Sequence, residues 1–273
     1  FVVTLAAFLA LQGLMLLVIG AGGTIPIDSD IILKIMNANM SPLAGWILFG
    51  IVVGGWALMA LMRMRGRRAS GLPVENMSVF LAKFAALALI LGAAVYILNQ
   101  ERSLNPAVTS IMGVPYVVPL ILILMVGLTF LLSRTSFGRH VYAVGGNAEA
   151  SRRAGINVAN IKLACFIACS TLAAVAGILF ASRDNSVSPS TGGSTTLLYA
   201  VGAAVIGGTS LFGGRGRIVD AVIGGLVVGV IANGLPLVTQ ESGIAFIVTG
   251  LVLLVAASVD ALSRRRAQAT GRA

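Results

Sequence analysis

The chain has 273 residues, 58% of them hydrophobic and 10% charged, with a formal net charge of +10 and a mean hydropathy of +0.98. Soluble domains carry roughly 25% charged residues, so these values exclude an ordinary soluble domain and indicate a polytopic α-helical membrane protein. The basic excess does not point to nucleic acid, because the arginines cluster just outside apolar runs, where they set membrane topology.

Apolar runs of helical length cover residues 1–20, 43–62, 80–98, 114–133, 163–182, 196–212, 218–237 and 244–260. Only helices and closed barrels satisfy backbone hydrogen bonds in lipid, and runs this long are helices. The expected fold is all-α: a bundle of about eight spans forming a single transmembrane domain over 1–273. The run 196–212 is the shortest and is laced with glycine, so it reads as a tilted span or a re-entrant pair of short helices. The chain starts at Phe1 without Met, already inside an apolar run. The expectation is an N-terminally truncated fragment with no signal peptide in view.

The loops alternate in charge. Arg63, Arg65, Arg67 and Arg68 fall in one loop; Arg134, Arg139, Arg152, Arg153 and Lys162 in the next but one. Arg215 and Arg217 follow, then Arg264, Arg265 and Arg266 in the tail. The intervening loops hold Asp28 and Asp30, Glu101 with Arg102, Arg183 with Asp184, and Glu241. The positive-inside rule then puts both Phe1 and Ala273 on the cytoplasmic side of a multi-pass membrane protein. No ionisable residue lies at the middle of a span: Lys83 can snorkel to the interface and Asp220 can pair with Arg217. That pattern counts against an ion-coupled secondary transporter. The two cysteines, Cys165 and Cys169, share one helix face inside an apolar run and read as packing residues, not as a disulfide or metal site.

The longest polar stretch is 136–158, SFGRHVYAVGGNAEASRRAGINV, placed on the cytoplasmic side. Gly145-Gly146-Asn147 is a turn signal, since Gly and Asn accept positive φ. Asn147 can cap a short surface helix over 148–154, with Glu149 in its first turn and Gly155 closing it. The bland reading is that its arginines only fix topology and touch lipid phosphates. A helix capped at both ends is more than topology requires. His140, beside Arg139, has no partner in the sequence that suggests a ligand role.

The second motif runs from Val205 to Ile218, VIGGTSLFGGRGRI. Gly208 and Gly213 have phosphate-loop spacing, but Gly214 and Arg215 stand where such a loop needs Lys and a hydroxyl. Nucleotide binding is therefore rejected in favour of close helix packing through small residues and a turn at the cytoplasmic face.

Both motifs resemble those of sugar permeases of ATP-binding-cassette importers, the ribose/xylose-type family. The first matches at Phe137-Gly138-Arg139, Tyr142-Ala143-Val144-Gly145-Gly146-Asn147, Glu149-Ala150 and Gly155-Ile156-Asn157-Val158. The second matches the family's Gly-Gly-Thr-Ser-Leu-x-Gly-Gly-x-Gly signature at 207–216. Ser182-Arg183, Ser188-Pro189, Asn233-Gly234 and Asp260 have counterparts as well, so the resemblance covers nearly the whole chain. Arg153 and Tyr199 are departures, standing where relatives carry a smaller residue and an aspartate. The segment 63–115 is similar to an insertion of xylose-type members.

The resemblance implies a permease, not an enzyme, that carries a monosaccharide, xylose first, into the cytoplasm. Its implied partners are a second permease copy, a cytoplasmic ATPase subunit that holds ATP and magnesium, and an extracytoplasmic sugar-binding protein. The chain itself would bind no cofactor and no metal. A coupling segment over 134–161 would engage the ATPase through Gly146, Asn147, Glu149, Arg152, Arg153, Gly155, Ile156 and Asn157. Sugars need hydrogen-bonding groups without strong charge, and Gln12, Thr209, Ser210 and Asn233 are the candidates in or near spans; helix–helix hydrogen bonding is the competing role for each. The alternative class is a secondary sugar transporter or facilitator that does not use ATP.

Overall fold

A computed structural model of the chain describes residues 2–20, 23–73, 76–103, 111–189, 191–211 and 213–238, and scattered positions between 243 and 258. Among the described residues, six helices are long and apolar enough to cross a membrane. They are α1 (Val2–Ile19), α3 (Pro42–Ala69), α4 (Met77–Leu98), α5 (Val117–Arg134), α8 (Val158–Asp184) and α10 (Ile218–Val238). Shorter helices are α2 (Asp30–Asn37), α6 (Ser136–Gly146), α7 (Ala148–Arg153) and α9 (Ser194–Gly207). Two short strands, β1 (Ile25–Pro26) and β2 (Ser186–Val187), pair antiparallel.

The all-α bundle stands, and the described residues do not confirm the expected count of eight spans. The run 196–212 forms α9, which has 14 residues and stops at left-handed Gly208. At 1.5 Å per residue that is about 21 Å, short of the roughly 30 Å hydrocarbon core. The run 244–260 lies largely outside the described residues, as do Glu241, Asp260 and the arginines of the tail. Arg63, Arg65, Arg67 and Arg68 sit in the last turns of α3, not in a loop. Arg and Met are good helix formers, and Arg67 and Arg68 complement the negative end of the helix dipole. The helix therefore continues for 28 residues until the Ser70 hydroxyl bonds back to the Gly66 carbonyl at 3.0 Å.

Backbone contacts divide the chain into two units, Phe1–Pro26 with Leu122–Ala273, and Ile27–Ile121. In the first, β1 and β2 join the segment after α1 to the segment after α8, with Ile25 opposite Val187. Helix α9 lies against α10 so closely that a Cβ at Gly224 would run into the Ala203 carbonyl, and one at Gly207 into the Asp220 carbonyl. Small residues permit that approach, the usual device where lipid offers no hydrophobic drive between helices. In the second unit α3 and α4 form a hairpin, Trp56 stacks on Phe80 with ring centroids 6.0 Å apart, and Asn39 bridges Pro115.

The spans are covered very little by the rest of the chain: Leu17 is 84% exposed and Leu89 73%. Apolar faces of that extent belong against lipid or another subunit. Burial is concentrated instead among polar and small residues of the first unit, including Val144, Ser151, Val158, Ser210 and Asp220. They belong to the two motifs singled out by the sequence and to the first turn of α10.

Candidate functional site

The polar stretch 136–158 is built as two helices and two caps. Thr135 starts α6, its hydroxyl accepting from the Gly138 N–H at 3.3 Å. Helix α6 runs through Gly145 and Gly146, neither of which has positive φ. The expected turn at Gly145-Gly146-Asn147 is therefore a sharp helix-to-helix joint on extended Asn147, φ −155°. Those glycines have a different task, described below.

Asn147 serves both helices. Its N–H ends α6 on the Ala143 carbonyl at 3.0 Å. Its side-chain oxygen accepts from the Ala150 N–H at 2.9 Å and so caps α7. Its carbonyl takes a further bond at 2.9 Å from the hydroxyl of buried Ser151. At the other end Gly155 donates to the Arg152 carbonyl and Ile156 to the Ser151 carbonyl, both at 3.0 Å. With Gly155 at φ +84° this is a complete Schellman cap. A six-residue helix is far below the length at which helices persist alone, so these caps and α6 and α8 hold it.

The sequence expected a helix over 148–154 closed by Gly155, and α7 occupies 148–153 with Gly155 one residue past its cap. Glu149 reaches Arg152 at 2.7 Å and Arg153 at 3.5 Å along the exposed face of α7. These side chains are 58–81% exposed, so the pairs stabilise the helix little. Asn157 repeats the capping device for α8, accepting from the Asn160 N–H at 3.1 Å. That is why α8 starts at 158, five residues before the apolar run at 163. Arg152, Gly155, Ile156, Asn157, Val158 and Ala159 line an open cleft of about 330 Å³. All eight residues expected in a coupling segment thus fall in α7, its caps or the helix ends that flank it.

The structure also joins the two sequence motifs. A Cβ at Gly145 would lie 2.7 Å from the Gly214 nitrogen, one at Gly213 2.7 Å from the Gly145 oxygen, and one at Gly214 2.9 Å from the Gly146 Cα. Backbone meets backbone there, and only glycine fits on both sides. Tyr142 ties the contact down by donating from its hydroxyl to the Gly216 carbonyl at 2.8 Å. The glycine loop is itself closed by Ser210 N–H to the Arg215 carbonyl and Gly213 N–H to the Ser210 carbonyl, both 3.1 Å. It runs into α10 through Arg217 and buried Asp220: the Asp220 carboxylate accepts the Arg217 backbone N–H at 2.9 Å and its guanidinium at 2.8 Å. The hydrogen bond to Asp220, and then its charge, hold the Arg217 guanidinium above its ordinary range, against a small opposing effect of desolvation.

The four substrate-path candidates do not converge. Thr209 and Ser210 belong to the glycine loop, where Thr209 packs on Gly216. Asn233 stands fifteen residues into α10, on the order of 20 Å along its axis from the loop. Its amide donates to the Gly229 carbonyl of its own helix at 2.8 Å. Gln12 lines a small cavity of about 160 Å³ with Phe8, Met15, Pro189 and Thr191. Tyr199 lies half-buried in α9. Cys165 and Cys169 are free, and among the described residues no acidic, Cys or His cluster could hold a metal.

Six span-length apolar helices with a capped polar joint between two of them define a multi-pass α-helical membrane protein. The chain belongs to the family described as branched-chain amino acid transport system / permease component, whose profile matches residues 1–257. It is 36% identical to the xylose transport system permease protein of Haemophilus influenzae over 97% of this chain and 68% of that protein. Against the xylose transport system permease protein of Escherichia coli K12 it is again 36% identical, over 97% of this chain and 65% of the relative. The ribose import permease protein of the same strain is 43% identical over 55% of this chain and 46% of that protein. The chain thus spans about two thirds of the length of the xylose permeases it matches. No solved structure matches it.

Proposed function

We propose that this chain is the membrane-spanning subunit of an ATP-binding-cassette importer for a monosaccharide, with xylose as its cargo. The observation that carries the reading is the 36% identity to xylose permeases over 97% of the chain. The doubly capped α7 supports ATPase docking, because it presents Glu149, Arg152 and Arg153 on an exposed face while its backbone is fixed. ATP and magnesium stay on the partner ATPase. Closure of the ATPase dimer moves α7, and with it α6 and α8, biasing the permease pair between outward- and inward-facing states. A sugar-binding protein delivers cargo from the opposite side, and the C-terminus lies in the cytoplasm. Gln12, Thr209, Ser210 and Asn233 supply the uncharged hydrogen-bonding groups for the sugar path. Thr209 and Ser210 would act from the glycine loop, where Thr209 packs on Gly216.

The test reconstitutes the intact protein with its ATPase and binding protein in liposomes and follows labelled xylose. Uptake is expected only with ATP on the ATPase side and the binding protein on the other, and ribose and allose should compete weakly. Uptake that persists without the ATPase and follows a proton gradient would instead establish a secondary transporter.

A further inference from the structure

We propose that the α3–α4 hairpin carries a binding site for an anionic phospholipid of the surrounding bilayer. A pocket of about 640 Å³ opens between the end of α3 and the start of α4. Arg63, Arg67 and Lys83 line its polar side; Trp56, Met59 and Phe80 line its apolar side. Trp56, Met59, Arg63 and Arg67 recur at helical spacing, so they form one face of α3. Arg65 and Arg68 of the same helix point elsewhere and do not line the pocket.

Its depth suits a lipid. A run of about 20 helical residues crosses the hydrocarbon core, so from Pro42 the core ends near residue 62, and Arg63 and Arg67 emerge at the headgroup level. Lys83 lies six residues into α4, one turn deeper than Phe80, and lines the pocket from that side. The stacked Trp56 and Phe80 rings, nearly parallel at 3°, sit just below, where aromatic side chains collect at membrane interfaces. Arg63 and Arg67 above an apolar wall of Trp56, Met59 and Phe80 match a phosphate headgroup with its acyl chains. Basic pockets between spans on the cytoplasmic side are the general form of such sites.

The test is native mass spectrometry of the intact protein in detergent, titrated with cardiolipin, phosphatidylcholine or inorganic phosphate, with thermal melts to show that each variant is folded. Arg63→Gln with Arg67→Gln should weaken cardiolipin retention about tenfold or more. Arg65→Gln with Arg68→Gln, an equal loss of charge on other faces, should leave it unchanged, and phosphatidylcholine should not be retained. Lys83→Gln should give a partial loss, and it decides the matter alone if the first double variant does not fold. Equal loss in both double variants would show diffuse attraction to a basic helix end and overturn the site. Unchanged retention in Lys83→Gln and Arg63→Gln/Arg67→Gln, or displacement of cardiolipin by equimolar inorganic phosphate, would overturn it too.

Discussion

Neighbouring glycines in the proposed coupling segment serve unlike purposes, and single substitutions separate them. Gly145 faces the Gly214 backbone with no room for a methyl group, whereas nothing lies within 4 Å of a Cβ at Gly146. Gly145→Ala should therefore lower stability by about 1–3 kcal/mol, the usual range for overpacking. Gly146→Ala, in the last turn of α6, should be neutral or slightly stabilising. Thermal melts of the two detergent-purified variants check this, and an equal effect of both would remove the backbone contact from the account. Gly155 is constrained differently: its Cβ would meet nothing, but its φ of +84° is a left-handed conformation. Gly155→Val should distort the cap, abolish stimulation of the ATPase by substrate and impair transport, while Gly155→Asn, which tolerates that conformation, should retain most of both. Intact coupling in the Val variant would take Gly155 out of the coupling segment.

At the scale of elements, α7 depends on its caps more than on its own six residues. Asn147→Ala removes the bond to the Ala150 N–H and should cost about 1 kcal/mol, whereas Asn147→Asp keeps an acceptor there. Hydrogen exchange across 147–156 would read the difference as faster exchange in the Ala variant only. Helix α7 was legible in the sequence because capping is local chemistry: Asn, Glu and Gly stand at fixed offsets along a few residues. Helix α6 was not, because Gly145-Gly146 reads as a turn when taken alone. That pair ends a capped helix and Gly145 meets the Gly214 backbone, nearly seventy residues away, a pairing one sequence does not announce. The same limit hid the end of α3. Arginine reads as loop beside a greasy run, yet it is a good helix former and suits a helix C-terminus. The substrate path stayed illegible for a related reason: Asn233 and Thr209 look alike as polar residues near spans, and only the fold shows one bonded along α10 and the other packed in a tight loop.

For the molecule as a whole, charge alternation divided the loops into two sets, and contacts within the first unit follow the same division. The segment after α1 pairs with the segment after α8 through β1 and β2, both from the weakly charged set. The segment 134–161 meets the glycine loop at Gly145 and Gly214, both from the basic set. Helix α8 separates the two ends: 27 residues make about 40 Å, enough to cross the bilayer with turns to spare. The bonds fix which loops share an end, and the positive-inside rule is the basis for proposing that the arginine-rich end faces the cytoplasm. Asp184 and Arg153, both exposed, flank that crossing on opposite sides. In a background with Cys165 and Cys169 replaced by Ala, Asp184→Cys should react with a membrane-impermeant maleimide in intact cells. Arg153→Cys should react only after the membrane is opened. Labelling of both from outside would contradict the crossing by α8. The reverse pattern would turn α7 away from the cytoplasm, where no ATPase could reach Glu149, Arg152 and Arg153, and the importer reading would fall with it.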